Sequence, residues 1–485
     1  MRSVAHPPGE PTPAGRRRAG SAPAGRGRGR SPAARAVRYS LVAVLVLVGA
    51  WAALPATGAG NRPIAAGSPS TGALWGMTTD YVDGIAGREA QLGRTLGVHN
   101  MFFSWTDHFP ASGQTDDVAA GRMPMVTWEP WNTTLADIAN GTYDTTIVSR
   151  AQAMRDFGHP IFLRFAHEMN GTWYPWSGSA NGGSASGTAA YVAAWRHVHD
   201  LFAAQGATNV IWVWCANQND SPSAAWNHWT NYYPGDNYVD WVSVDAYNWG
   251  TINGGWRSFG SMIGASAYRD YAATKPVMIA ETGSNETGGS KAGWIYDLGT
   301  VLQRDYPAVE AVLWFDRSGT SYNWPIDSSG ASMRAYRNVG KDTYFGGPGI
   351  PDVVVTNVSW TPAAPGAGTP ILFSATLKNQ GTASTPDGIV VGVGFFVDGV
   401  QTNWYGTVRD GTLAPGQSRT ITSSGGPDPY ATIGPGSPVS GVLNPTRYWT
   451  ATSGTHAVRA VVDDVNRFDE SNEYNNSLTV SLTVP

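Results

Sequence analysis

Eight short apolar runs, each closing on polar or aromatic residues, organise the chain from Ala73 to Asp316. They are ALWGMTT, HNMFFSW, RMPMVTWE, PIFLRFAHE, VIWVWCAN, VDWVSVDAYN, PVMIAETG and VEAVLWFD. Helix-like stretches separate them. In residues 186–206 apolar positions recur at helical spacing and Gly206 supplies the stop, while Pro307 closes KAGWIYDLGTVLQRDYP. Strands alternating with helices over about 270 residues predict an α/β fold, a (β/α)8 TIM barrel. Its bounds are 73–343. The competing doubly wound sheet needs a Gly-rich phosphate turn, and none opens any of these helices.

The pattern changes after YFGGPGIPD. The runs DVVVTNVSW, PILFSATLKN, IVVGVGFFVDG, RTITSS, HAVRAVVDD and SLTVSLTV alternate with period two and are broken by Gly, Pro and Asn. A small all-β sandwich is predicted over 351–485, with 344–350 as linker.

At the other end, residues 1–59 hold nine Arg and one Glu, although the whole chain carries a net −4. Positive charge, an apolar run from Leu41 to Ala56 and small residues up to Ala59 follow the pattern of a secretory signal peptide. Residues 1–59 are therefore expected to direct export, with cleavage near Gly58 or Ala59. An uncleaved anchor is the alternative, though the run is shorter than the roughly 20 residues a spanning helix needs. What remains is acidic, which argues against nucleic acid or anionic membrane as partner. Cys215 is the single cysteine, so intramolecular disulfides are excluded; within VIWVWCAN it reads as a small buried side chain.

With 21 Trp and 20 Tyr against 14% charged residues, the composition suits surfaces that stack on sugar rings. The strand ends supply the chemistry. In such a barrel the site lies at the C-terminal ends of the strands. Alternation places Glu168 on one face with Ala166 and Arg164 at the end of the fourth strand. On the seventh, it puts Val277 and Ile279 inward with Glu281 at the top. Glycosidic cleavage needs such a pair, one carboxyl protonated and the other ionised, and mutual repulsion with burial separates their pKa values. Each alone reads more readily as a rim ion pair, and it is the two together, flanked by Trp, that favour the catalytic reading.

The block HEMNGTWYPW resembles the signature of glycoside hydrolase family 26, IAETGS its nucleophile strand and VDAYN the strand before it. The similarity runs from about Leu74 to Ala335. It implies a retaining endo-β-glycanase, with Glu168 as acid/base, Glu281 as nucleophile and His167 supporting the pair. Asp245 and Tyr247 share inward parity on the sixth strand, with Tyr247 placed to bond the nucleophile. Trp173 and Trp176 are expected to form a sugar platform, Trp314 a floor, and His99 a contact at the sugar rim. The substrate implied is β-1,4-mannan or a related β-linked polysaccharide. Family members acting on mixed-linkage β-1,3-1,4-glucan or β-1,3-xylan are the alternatives, and DAYNWGTINGGWRSF looks closer to the glucanase-like members. A non-catalytic polysaccharide-binding or adhesin-like protein is the competing class. DDVNRFDESNEYNN resembles the end of a CARDB-type module, and it is expected to be a solvated turn, with calcium binding the alternative and contact with cell wall or polysaccharide open. No cofactor or metal is expected: His197 and His199 point to different helix faces, and no His/Cys cluster has zinc spacing. A monomer is expected.

Overall fold

The computed structural model describes residues 66–252, 254–319, 322–406, 410–425 and 447–485. The segment expected to direct export lies outside the described residues. Among the described residues, no helix is long and apolar enough to cross a membrane.

Eight parallel strands close into a barrel in chain order: β1 (Leu74–Thr79), β2 (Val98–Ser104), β3 (Met123–Glu129), β4 (Ile161–Phe165), β5 (Val210–Asn217), β6 (Trp241–Asn248), β7 (Val277–Ser284) and β8 (Val309–Asp316), with β8 returning to β1. Val98, Met125, Phe162, Val213, Trp241, Met278, Ala311 and Leu313 form a buried cluster of alternate residues filling the lower barrel. The opposite parity (Trp75, Met77, Leu163, Trp214, Val242) joins the larger cluster shared with the surrounding helices. The long helix Ala185–Ala204 buries Tyr191, Trp195, Val198 and Phe202, and the predicted stop Gly206 is left-handed at φ 70°.

Above the apolar plug lies a polar belt. Asn100 Nδ2 donates to Thr78 Oγ1 at 3.0 Å, Thr127 Oγ1 to Asn100 Oδ1 at 2.8 Å, and Arg164 Nε to Thr127 Oγ1 at 2.9 Å. These residues share the inward parity of β1 to β4: Thr127 pairs in register with Arg164, and Asn100 with Met125, one inward step before Thr127.

Parity on β7 corrects the expectation from simple alternation. Met278 and Ala280 belong to the interior cluster, whereas Val277 and Ile279 face the helices. Val244 pairs with Ile279 but Asp245 pairs with Glu281, which leaves Ala280 as the extra residue of a bulge. That insertion turns Glu281 back inward.

The C-terminal strands are β9 (Val353–Thr361), β10 (Pro370–Asn379), β11 (Val393–Val397), β12 (Val400–Tyr405), β13 (Ser418–Thr422), β14 (Trp449–Thr450), β15 (Gly454–Val462) and β16 (Ser477–Val484). One sheet joins β9, β10, β13 and β14, and the other runs β12-β11-β15-β16. Phe373 stacks on Phe395 at 5.9 Å between them. The sequence reading missed β12 although a signal was available: the chain returns from β11 through Asp398 and Gly399 at φ 50° and 86°, a tight Asp-Gly hairpin. Residue 345, assigned to the linker, instead packs on Trp75 with ring centroids 4.6 Å apart.

Candidate active site

Arg164 organises the mouth of the barrel. Its side chain is fully buried, and Nη1 donates to both Asp245 oxygens, at 2.9 and 2.8 Å, while Nη2 donates to Glu281 Oε1. Burial works against the guanidinium charge, but Asp245 and Glu281 outweigh it and hold its pKa above the ordinary value. A buried cation held by two carboxylates is pinned in place, since removing either partner leaves charge uncompensated.

Glu281 has its other oxygen, Oε2, bonded by the Tyr247 hydroxyl. Burial raises the Tyr247 pKa well beyond the usual phenol range, so the hydroxyl keeps its proton and donates. Glu281 is therefore held by one donor on each carboxyl oxygen.

Glu168 stands in the opposite environment. Burial first, and the Glu281 charge second, push its carboxyl up to about 8. Asn217 Nδ2 donates to Oε1 and Trp173 Nε1 to Oε2, both at 2.7 Å. Both partners are N–H donors, so neither accepts the carboxyl proton. Strand alternation does not present this residue, because β4 ends at Phe165. Ala166 and Glu168 instead adopt φ of 48° and 53°, a left-handed conformation that non-glycine residues rarely hold. Glu168 N donates to Cys215 O and Gly171 N to Glu168 O, both at 2.9 Å, which locks the turn. A Cβ on Gly171 would lie 2.4 Å from the Trp173 ring, so glycine lets that indole cross to the carboxyl.

Asp245, Tyr247, His167 and Trp173 thus gather around the two glutamates. His167 Nε2 lies 3.0 Å from the Tyr174 hydroxyl, and burial together with Arg164 keeps the ring well below its ordinary pKa, hence neutral. Three other expectations are corrected. Trp176 is buried, stacked on Tyr174 at 4.4 Å, and its indole donates to His167 O, so it braces the loop from behind rather than forming a platform. Trp314 has outward parity on β8, packing on Trp294 and Tyr336; the inward neighbour is Phe315. His99 also faces outward, its Nδ1 3.0 Å from Asp117 in the helix Ser112–Ala119. His99 and Trp314 were each one residue off the inward register.

The mouth also holds residues that sequence reasoning missed. Trp324 stacks on Tyr247 at 4.0 Å, Phe315 lies edge-on to Trp324 and Phe102 edge-on to Phe315, and Trp249 and Tyr322 are partly buried against this group. Asn217 ends β5 with the parity of Val213 and Cys215, a signal that was available. Glu129 ends β3 with the parity of Met125 and Thr127, and it is 3% exposed. A resident metal fits poorly. His167, Asp245 and Glu281 bring ligand atoms within 4.8 Å of one another, but the Arg164 guanidinium already bridges the two carboxylates.

In the sandwich, the acidic run is not a solvated turn. Asp463 accepts from Arg467 N at 2.8 Å, Glu470 from Val353 N at 2.6 Å, and Asp469 pairs with Arg337 and Lys341 on the barrel helix Gly330–Lys341.

Two glutamates from separate strand ends of a closed (β/α)8 barrel, meeting at its mouth in contrasting environments, form the kind of carboxyl pair that glycoside hydrolysis uses. Residues 129–278 match the profile of glycosyl hydrolase family 26, and residues 350–480 match that of CARDB. The barrel is thus similar to glycosyl hydrolase family 26, and the sandwich to CARDB modules. Endoglucanase H of Acetivibrio thermocellus is 38% identical over 273 residues, covering 54% of this chain and 29% of that protein. Mannan endo-1,4-beta-mannosidase A and B of Caldalkalibacillus mannanilyticus is 36% identical over 97 residues, covering 20% and 18%. Beta-1,3-xylanase TXYA of a Vibrio species is 27% identical over 184 residues, covering 36% and 37%. The chain thus spans less than half the length of each of these relatives.

Proposed function

We propose that the chain is an exported, retaining endo-β-glycanase that cleaves a β-linked polysaccharide by double displacement. One observation carries this: two carboxyls share a mouth in contrasting environments, Glu281 bonded by Arg164 and Tyr247, and Glu168 buried and pushed up to about 8. Glu281 attacks the anomeric carbon while Glu168 gives its proton to the departing glycosidic oxygen. A water then surrenders a proton to Glu168 and its oxygen displaces Glu281, which restores both groups. Tyr247 and Arg164 hold the attacking carboxylate, and Asp245 keeps Arg164 in place. The charge pattern of residues 1–59 supports export.

The backbone proposed is a β-glucan. The similarity to Endoglucanase H extends over 273 residues, 54% of this chain. Mannan is the second reading, favoured by the 36% identity to the mannosidase over 97 residues. Reducing-sugar release by the full chain from barley β-glucan, galactomannan, β-1,3-xylan and cellulose decides between them. Fastest release from barley β-glucan is expected. Preference for galactomannan overturns the glucan assignment, and four intact polymers overturn the glycanase.

A further inference from the structure

Double displacement uses two carboxyls, yet the mouth holds a third that it leaves without a task. Glu129 sits at the top of β3, beside the end of β4, on the inward face above Thr127. Its Oε2 accepts from Trp131 Nε1 at 2.9 Å, while Oε1 is buried and has no hydrogen-bond partner among the described residues. Arg164, the nearest organising cation, directs its donors to Thr127, Asp245 and Glu281. Buried polar oxygens are nearly always satisfied, so this one calls for a donor that the described residues do not supply.

The surroundings indicate which donor. Trp131 is half-buried and lies edge-on to Trp176 at 5.1 Å and to Tyr174 at 5.8 Å, giving a flat aromatic wall next to one free acceptor. An apolar wall with a single fixed polar atom is how a sugar ring is oriented. Resting on the glycanase reading above, we propose that Glu129 is a substrate-binding residue whose Oε1 holds a ring hydroxyl of the sugar seated beside the catalytic pair. The terminal carboxyl torsion is broad, so a small turn about it brings Oε1 to the hydroxyl without disturbing the strand. Burial raises the Glu129 pKa to about 7, with the Trp131 bond and Arg164 pulling it down. A hydroxyl meets either protonation state, donating to the carboxylate or accepting from the acid.

The test compares the full chain with Glu129→Ala and Glu129→Gln. Kinetics on barley β-glucan are paired with calorimetric titration of cellotetraose into the same variants carrying Glu281→Gln, which blocks turnover. Glu129→Ala is expected to raise KM and weaken tetrasaccharide affinity tenfold or more, with kcat within threefold. Glu129→Gln keeps an acceptor for the Trp131 indole, so an intermediate loss of affinity at unchanged melting temperature isolates the missing hydroxyl contact. Unchanged KM and affinity in both variants overturn the proposal, as does an affinity loss that merely tracks lost folded protein. Weakened oligosaccharide binding in a chain that cleaves nothing sinks the glycanase and leaves the Glu129 assignment standing. A parent chain that neither cleaves nor binds overturns both.

Discussion

At the residue scale, function depends on how differently two identical side chains are treated. Glu281 meets a guanidinium and a phenol, and Glu168 meets two neutral N–H donors in a buried pocket. Because the acid must hold a proton in the first step, kcat/KM is expected to fall as pH rises through about 8, the value to which burial and Glu281 push Glu168. A pH–rate profile with no descending limb between pH 7 and 9 contradicts this. Glu168→Ala is expected to lose about 10²–10⁴-fold on polysaccharide. It should keep glycosylation of aryl glycosides whose leaving groups need no proton, and equal loss on both substrates argues against an acid role.

At the scale of elements, the pairing of strand ends was legible because apolar runs ending in polar residues mark a barrel mouth. VIWVWCAN and VEAVLWFD coincide with β5 and β8. Which residues face inward was less legible. Period-two alternation assigns β2, β3, β5 and β6 once the interior face is known, but a backbone irregularity is silent in sequence. On β7 the bulge at Ala280 reverses the parity, and beyond β4 two left-handed residues replace the strand. Trp314 and His99 were misplaced for a related reason, since residue chemistry suited a site while register sent them to the helices. The turn at Ala166 makes a prediction of its own. Ala166→Val puts a β-branched side chain at φ 48° in a fully buried position, and is expected to destabilise by about 2 kcal/mol or more. Ala166→Gly relaxes that conformation and should leave thermal stability within about 1 kcal/mol. Denaturant melts of both variants check this, and equal tolerance of Val and Gly counts against a locked turn.

For the whole molecule, barrel and sandwich meet through Asp469 with Arg337 and Lys341, at 3.1 and 3.2 Å. These partly exposed pairs contribute at most about 1 kcal/mol each, so Asp469→Ala should hardly alter stability. Protonation matters more. Burial, the largest cause in each case, raises Glu129, Asp463 and Glu473 to about 7 and Glu168 to about 8. Carboxyls raised on folding stabilise fully below their unfolded pKa, and that contribution is lost as pH rises through the folded values. His167, held neutral by burial, opposes this below its ordinary 6.5, and Lys291, lowered to about 8 by burial, opposes it above 8. The clean window is therefore pH 6.5 to 8, where the melting temperature is expected to fall as pH rises. Glu129→Gln with Glu168→Gln should flatten the slope, and a melting temperature rising across that window contradicts the assignment.

The central claim is that Glu281 forms the covalent bond to the sugar while Glu168 handles the proton. Inactivating the full chain with a 2-deoxy-2-fluoro-β-glucosyl-type oligosaccharide fluoride, followed by peptide mass mapping, addresses it most directly. The mass of one fluorosugar on the peptide carrying Glu281, absent from Glu281→Gln, is the predicted result. A label on Glu168 or Glu129, or an α-configured first product with no label at all, would contradict it.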